Sequence, residues 1–167
     1  MIIVCGLNDA PDLVIKHRVG AAIGILGPET KHPDFPTLGD AQRLRLSFND
    51  INGPTDGMVG ASDDDAERLV RFIKTWNHEN PLLIHCWAGI SRSTATAFAA
   101  MCILRPDEDE MVLARALRLA STSATPNRLI TAKVDSALGR QGRMLRAVES
   151  IGRGADAYSG SPFILKI

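Results

Sequence analysis

The sequence lacks the features that mark several large classes of protein. Its three cysteines, Cys5, Cys86 and Cys102, are too few and too widely spaced for a paired disulfide framework or a Cys-x-x-Cys motif. The N-terminal residues carry no basic segment, and Asp9 interrupts the apolar stretch too early for a signal peptide. The longest weakly polar run, residues 94–104, is too short to span a bilayer. We therefore expect a reduced, cytoplasmic protein without a membrane segment.

An excess of charge of either sign is also missing. Nineteen Lys plus Arg balance nineteen Asp plus Glu, so the formal net charge is zero. Such a surface has no general attraction for polyanions, and neither nucleic acid nor an anionic membrane is an expected partner. The four histidines and three cysteines show no spacing typical of a metal site. No metal and no other cofactor is predicted.

The chain does hold enough apolar residues for a folded domain. Of its 167 residues, 45% are apolar and 23% are charged, which is typical of a soluble globular protein. The length suits one domain of about 100–200 residues. We predict a domain over residues 1–153 and a C-terminal tail over residues 154–167. The apolar end of this tail, residues 163–165, docks either on the domain itself or on a partner.

Strand and helix patterns alternate through the first half of the chain. Short β-branched or alternating apolar runs predict strands at residues 2–4, 21–26, 43–48 and 82–84. Apolar residues at helical spacing predict helices at residues 9–17, 62–77, 92–104, 107–121, 127–138 and 143–151. This order predicts a three-layer α/β domain, in which helices flank a central four- or five-stranded, mostly parallel sheet and the C-terminal half is helical.

One stretch stands above the background, residues 82–93, which read LLIHCWAGISRS. A strand leads into His85 and Cys86, a turn containing Gly89 follows, and Arg92 opens a helix. Backbone N–H groups of a loop that enters a helix N-terminus form a nest for an anion, and an arginine fork suits phosphate oxygens. The helix dipole and the guanidinium favour a thiolate at Cys86, on the floor of this cradle. A thiolate beneath a bound phosphate is placed to attack phosphorus.

The other positions of this stretch also have predicted roles. The phosphate-binding residues are Trp87, Ala88, Gly89, Ile90, Ser91 and Arg92. Gly89 permits a backbone conformation that a Cβ would obstruct. Attack on phosphorus would form a phosphocysteine. Ser93 hydrogen-bonds the sulfur and helps it leave when that bond is later broken, while His85 holds the loop from behind. Trp87 lines the rim of the pocket or packs into the core.

These residues resemble the signature of the protein tyrosine phosphatase superfamily, His-Cys-x-x-Gly-x-x-Arg followed by Ser or Thr. The order of the predicted elements resembles the compact, dual-specificity branch, and the chain looks like a compact bacterial member of it. The resemblance implies a cysteine-dependent phosphatase without a cofactor that hydrolyses phosphotyrosine or another aryl phosphate through a phosphocysteine intermediate. A phosphorylated protein or a small aryl phosphate is then the expected partner. The pattern indicates no oligomeric state.

That superfamily uses an aspartic acid, on a loop upstream of the signature, to protonate the leaving group. The resemblance points to Asp50, which directly follows the predicted strand over residues 43–48. Asp56 is the alternative, because the loop looks longer than in compact relatives. Asn127, in the sequence TPNRL, resembles a Pro-Asn pair whose Asn supports the phosphate loop in dual-specificity phosphatases. An ordinary helix N-cap explains Asn127 equally well.

Several alternatives stay open at this point. The variable loop positions carry no Lys or Arg, which argues against a highly charged lipid headgroup and favours an aryl phosphate. Hydrolysis of phosphoserine or phosphothreonine depends on the depth of the pocket. A phosphatase-like module that binds phosphoproteins with little turnover is the main alternative, and a rhodanese-like sulfurtransferase or an arsenate reductase also combines cysteine, loop and arginine. We expect Cys5 and Cys102 to be buried. The resemblance also allows a disulfide between Cys5 and an oxidised Cys86, although no local feature supports it.

Overall fold

A computed structural model describes residues 1–167 and shows a five-stranded sheet between two layers of helices. The strands are β1 (Ile2–Cys5), β2 (Ala21–Leu26), β3 (Arg43–Ser47), β4 (Leu82–His85) and β5 (Phe163–Leu165). Their order in the sheet is β3-β2-β4-β1-β5; the first four are parallel, and β5 is antiparallel to β1. The predicted α/β fold with a mostly parallel central sheet is confirmed.

All six predicted helices are present, with ends within a few residues of the predicted ones. They are α1 (Ala10–Lys16), α2 (Asp63–Thr75), α3 (Arg92–Leu104), α4 (Glu110–Ala120), α5 (Arg128–Ala137) and α6 (Arg143–Ile151). One face of the sheet packs against α1 and the segment before β3, and the other face packs against α2 to α6. None of these helices combines the length and the apolar character needed to cross a membrane.

Burial on one or both faces explains the sequence pattern of the strands. In the middle of the sheet, β1, β2 and β4 are buried on both faces and consist almost wholly of apolar residues. The edge strand β3 alternates instead: Leu44 and Leu46 are buried, whereas Arg45 and Ser47 are exposed. The period of two therefore marks the edge strand, and the continuous apolar runs mark the strands at the centre.

The helix α3 occupies the middle of the helical layer. Every residue of it from Arg92 to Cys102 is buried, which is why small and apolar residues occupy all of its faces. Its N-terminus lies at the carboxyl end of β4, joined to it by residues 86–91. The carboxyl edge of a parallel sheet is where ligands usually bind in α/β folds. The fold thus places the signature at that edge.

The last residues of the chain fold onto the domain itself. Strand β5 pairs with β1, with Val4 opposite Phe163 and Ile2 opposite Leu165. The side chains of Phe163 and Leu165 are buried in the main core, while Ile164 between them is exposed. Of the two possibilities left open for this apolar end, the structure shows docking on its own domain. Residues 163–165 therefore form the fifth strand of the sheet.

We expect replacement of Phe98 by Ala to cost about 3–5 kcal/mol of unfolding free energy. This side chain is fully buried in α3, so its removal leaves a cavity in the core. Urea unfolding measures the loss. The control is Leu119→Ala, which removes a side chain that is 87% exposed and should change stability by less than about 0.5 kcal/mol. Equal effects of the two changes would contradict the central position of α3.

Candidate active site

The loop between β4 and α3 has its carbonyl groups turned outward. Four of them accept backbone hydrogen bonds from other segments: Trp87 from Leu7 (3.0 Å), Ala88 from Gly160 (2.8 Å), Ile90 from Thr125 (2.9 Å) and Ser91 from Asn127 (3.2 Å). A trans peptide unit is planar and has its C=O and N–H on opposite sides, so each outward carbonyl turns the next N–H inward. Of the N–H groups turned inward in this way, those of Ala88, Gly89 and Ser91 donate to no other group of the protein. The loop therefore offers a nest of free donors to an anion.

Glycine is required at position 89 by both conformation and space. Gly89 has a φ of +73°, a region that other L-residues rarely adopt. A Cβ on Gly89 would lie 2.7 Å from the backbone nitrogen of Gly6 and 2.8 Å from the carbonyl carbon of Cys5. The loop thus packs directly on the end of β1. This is the obstruction that the sequence pattern predicts for this position.

Cys86 lies on the floor of the loop, directly after β4. Its side chain is buried, and its Sγ lies 3.1 Å from the Oγ of Ser93. Ser93 is fully buried in the first turn of α3, so its hydroxyl is held in place by the helix. The thirteen-residue α3 directs the positive end of its dipole toward the same loop. The arrangement can hold a sulfur anion that is hydrogen-bonded by Ser93.

Arg92 is a buried cation at the side of the same loop. Its Nη1 donates to the carbonyl of Phe48 at 2.9 Å, and its Nε lies 3.6 Å from the Oδ2 of Asp50. The side chain is only 8% exposed, and the bond to Phe48 holds one end of the guanidinium, whereas the buried Nε has no hydrogen-bond partner. A planar guanidinium held in one orientation can bind two oxygens of a phosphate at once.

The two candidate acids differ in their surroundings. The Oδ1 of Asp50 accepts hydrogen bonds from Ser91 Oγ at 2.7 Å and from Asn127 Nδ2 at 2.8 Å. Its side chain is 36% exposed, so it meets the signature on one side and solvent on the other. Asp56 is exposed in the same loop and makes no hydrogen bond or ion pair. Of the two carboxyl groups, Asp50 is the one that contacts the signature.

Asn127 serves as a helix cap and as a support for the site at the same time. Its Oδ1 accepts from the backbone N–H of Ile130 at 2.9 Å, which caps α5. Its own backbone N–H donates to Ser91, while its Nδ2 reaches Asp50 and the carbonyl of Ile51 (3.1 Å). The two interpretations of Asn127 are thus compatible. The bond from its amide to Asp50 is a contact that sequence reasoning missed.

His85 fills the space behind the loop as a buried imidazole. Its ring meets Phe35 edge-on, at 5.9 Å between centroids. A Cβ on Gly24 would lie 2.6 Å from His85 Nε2 and 2.9 Å from His32 Nδ1, so both rings lie against this glycine. Burial, assisted by the neighbouring His32, lowers the pKa of His85 to about 4. The ring is therefore neutral at physiological pH.

Sequence reasoning also missed the parts played by Gly24 and His32. A glycine inside a strand often marks the close approach of another group. Gly24 in β2 lies opposite His85 in β4, which makes it the available signal for this contact. His32 carried no such signal, because it lies in a loop whose path depends on the rest of the fold.

The remaining predicted positions fall into two environments. Trp87 is 57% exposed, so it lines the rim of the site and does not pack into the core. Cys5 and Cys102 are both buried, and burial raises the pKa of each thiol to about 12. These two cysteines are therefore neutral thiols at physiological pH. No group of three His, Cys, Asp or Glu side chains is arranged to hold a metal ion.

No protein-family model matches the sequence, and no curated protein matches it. Solved structures do resemble it. The PTP-2 phosphatase of Cydia pomonella is 20% identical (TM-score 0.60, covering 81% of this chain and 84% of that one), and DUSP15 is 18% identical (TM-score 0.61, 89% and 90%). The human tyrosine phosphatase-like serine/threonine/tyrosine-interacting protein is 18% identical (TM-score 0.60, 84% and 92%). The chain thus has the fold of the tyrosine and dual-specificity phosphatases.

The buried His85 predicts a loss of stability in acid. The unfolded chain binds a proton at this ring near pH 6.5, whereas the folded protein does so only near pH 4. The free energy of unfolding should therefore fall as the pH drops from about 6.5 to 4, and the pKa difference corresponds to about 3 kcal/mol. Urea unfolding at intervals across this range measures the slope. His85→Gln should flatten it by about one bound proton, and an unchanged slope would show that another group is responsible.

Proposed function

We propose that this protein is a cysteine-dependent phosphatase of the protein tyrosine phosphatase superfamily, with phosphotyrosine or another aryl phosphate as its substrate. The observation that carries the proposal is the loop of inward N–H groups above Cys86, with the buried Arg92 beside it. This arrangement provides a nucleophile, a site for a dianion and a fixed cation within one short stretch of chain. The shared fold supports the same proposal.

In the first step, the loop N–H groups and Arg92 bind the phosphate oxygens. The Cys86 thiolate attacks phosphorus from below, and the bond between phosphorus and the leaving oxygen breaks. Asp50, as a carboxylic acid, gives its proton to that oxygen, so that a neutral phenol departs. The products are the free phenol and a phosphocysteine. The N–H groups and Arg92 stabilise the charge on the transferred phosphoryl group throughout the step.

In the second step, water attacks the phosphocysteine. Asp50, now a carboxylate, accepts a proton from this water, while the phosphorus–sulfur bond breaks and the thiolate returns to Cys86. The Ser93 hydroxyl, 3.1 Å from the sulfur, hydrogen-bonds the thiolate as it forms. The hydrogen bonds that Asp50 accepts from Ser91 and Asn127 hold its carboxyl group beside the phosphate loop.

The rim of the site supports an aryl leaving group. Trp87 presents an exposed aromatic face from within the loop. An aryl group can contact the exposed indole of Trp87. None of the variable loop side chains offers the additional cation that a multiply charged headgroup would need.

Loss of the Cys86 thiol should abolish hydrolysis. We expect the wild-type protein to hydrolyse p-nitrophenyl phosphate in the presence of EDTA, and Cys86→Ser to lower kcat at least about a thousandfold. The matched control is Cys102→Ala, which removes a buried thiol in the middle of the fold and should leave KM unchanged. Activity that survives in Cys86→Ser would contradict the proposal. An inactive wild type that still binds tungstate would replace it with a phosphoprotein-binding module.

A pair of substitutions distinguishes which of the two candidate residues is the acid. Asp50→Asn should lower kcat for a phosphotyrosine peptide about 10²- to 10³-fold, because the phenolate then leaves without a proton. The loss should be smaller for p-nitrophenyl phosphate, whose leaving group is stable as an anion. Asp56→Asn makes the same chemical change at an exposed position and should stay within about twofold of the wild type. The reverse pattern would assign the acid to Asp56.

A further inference from the structure

The segment between α6 and β5 crosses the back of the phosphate loop. We name residues 152–160 the C-terminal strap. Early in the strap, Ala155 N–H donates to the carbonyl of Thr122 at 2.9 Å. At its end, the Gly160 N–H donates to the carbonyl of Ala88 at 2.8 Å, and the Ser159 hydroxyl approaches the same oxygen at 3.4 Å. The strap therefore connects the segment before α5 with the phosphate loop.

Three features fix the path of this strap. Arg118, in the last turn of α4, donates to the carbonyls of Ala124 (2.6 Å) and Gly152 (2.8 Å), which ties the start of the strap to the segment before α5. Gly154 then passes so close to Ser123 that a Cβ would lie 2.6 Å from its carbonyl carbon. Beyond the strap, β5 pairs with β1. The position of Gly160 is thus set from both sides.

Gly160 holds the peptide unit that carries one of the phosphate donors. Because Ala88 and Gly89 share a planar trans peptide, the carbonyl held by Gly160 turns the Gly89 N–H to the inner side of the loop. The other three outward carbonyls are held from the end of β1 and from the segment before α5. We propose that the C-terminal strap is a positioning element of the phosphate site, in which Gly160 orients the Gly89 N–H through the Ala88 carbonyl. The proposal rests on the proposed function.

Gly160 also leaves no room for a larger residue. It is buried, and a Cβ there would lie 3.0 Å from the carbonyl oxygen of Gly89 and 3.3 Å from Cγ1 of Ile90. An added methyl group would therefore push the phosphate loop by a few tenths of an ångström. Donors in a preorganised site lose much of their effect when they are displaced, so the strap should control affinity for the anion.

The test is a pair of substitutions at Gly160. Gly160→Ala displaces the loop, and Gly160→Pro removes the N–H donor itself. We expect the first to raise the Kd for tungstate and the KM for p-nitrophenyl phosphate about tenfold, and the second to raise both further. Titration calorimetry, steady-state kinetics and the thermal midpoint are measured on each full-length variant. A merely structural role would lower the thermal midpoint and the active fraction, and leave the Kd of the folded fraction unchanged.

Two variants serve as controls. Ser161→Ala changes the exposed neighbour of Gly160, which makes no hydrogen bond, and Gly39→Ala adds a methyl group whose nearest neighbour is Gln42 Oε1 at 3.5 Å. Both should keep the wild-type Kd. A wild-type Kd in both Gly160 variants would overturn the role of the strap, even in an active phosphatase. A wild type that binds tungstate without hydrolysis, and more weakly after Gly160→Ala, would support the strap and contradict the phosphatase activity.

Discussion

The planarity of the peptide bond is the constraint on which the site depends. When backbone N–H groups face a common centre, the carbonyls of the same peptides face the other way, and partners for those carbonyls hold the N–H groups in place. In this fold, the partners come from the end of β1, the segment before α5 and the C-terminal strap. Each is far from the loop in sequence. The nest therefore exists only in the folded chain, and packing of the whole domain determines how well its donors are aligned.

The charges of the site come from few sources. His85 stays neutral because burial lowers its pKa to about 4, so it adds bulk behind the loop and no positive charge. Arg92 supplies the full positive charge, and the loop N–H groups with the N-terminus of α3 add partial charges. This amount of positive charge suits one phosphate group. It agrees with the proposed monoester substrate and with the absence of basic side chains at the variable loop positions.

Local patterns predicted the fold well, and long-range contacts account for what they missed. The signature, the six helices and the four parallel strands follow from spacing and periodicity within short segments. In contrast, β5 has three residues after a Gly- and Ser-rich segment, so it has no pattern of its own and depends on β1 for its existence. The contact of Gly160 with Ala88 likewise depends on a distant segment and has no local sequence pattern. Nothing near position 160 indicates it, because the reason for the glycine lies in a loop more than seventy residues away.

Asn127 bonds both the loop that carries Asp50 and the phosphate loop. Asn127 donates from its backbone to Ser91 and from its side chain to Asp50 and Ile51, while its amide oxygen caps α5. The Ser91 hydroxyl also donates a hydrogen bond directly to Asp50. Asp50, the phosphate loop and the start of α5 thus form one hydrogen-bonded unit. Under the proposed mechanism, a displacement of any of its members would change the distance between the proton donor and the bound phosphate, so phosphate affinity and proton transfer would depend on the same contacts.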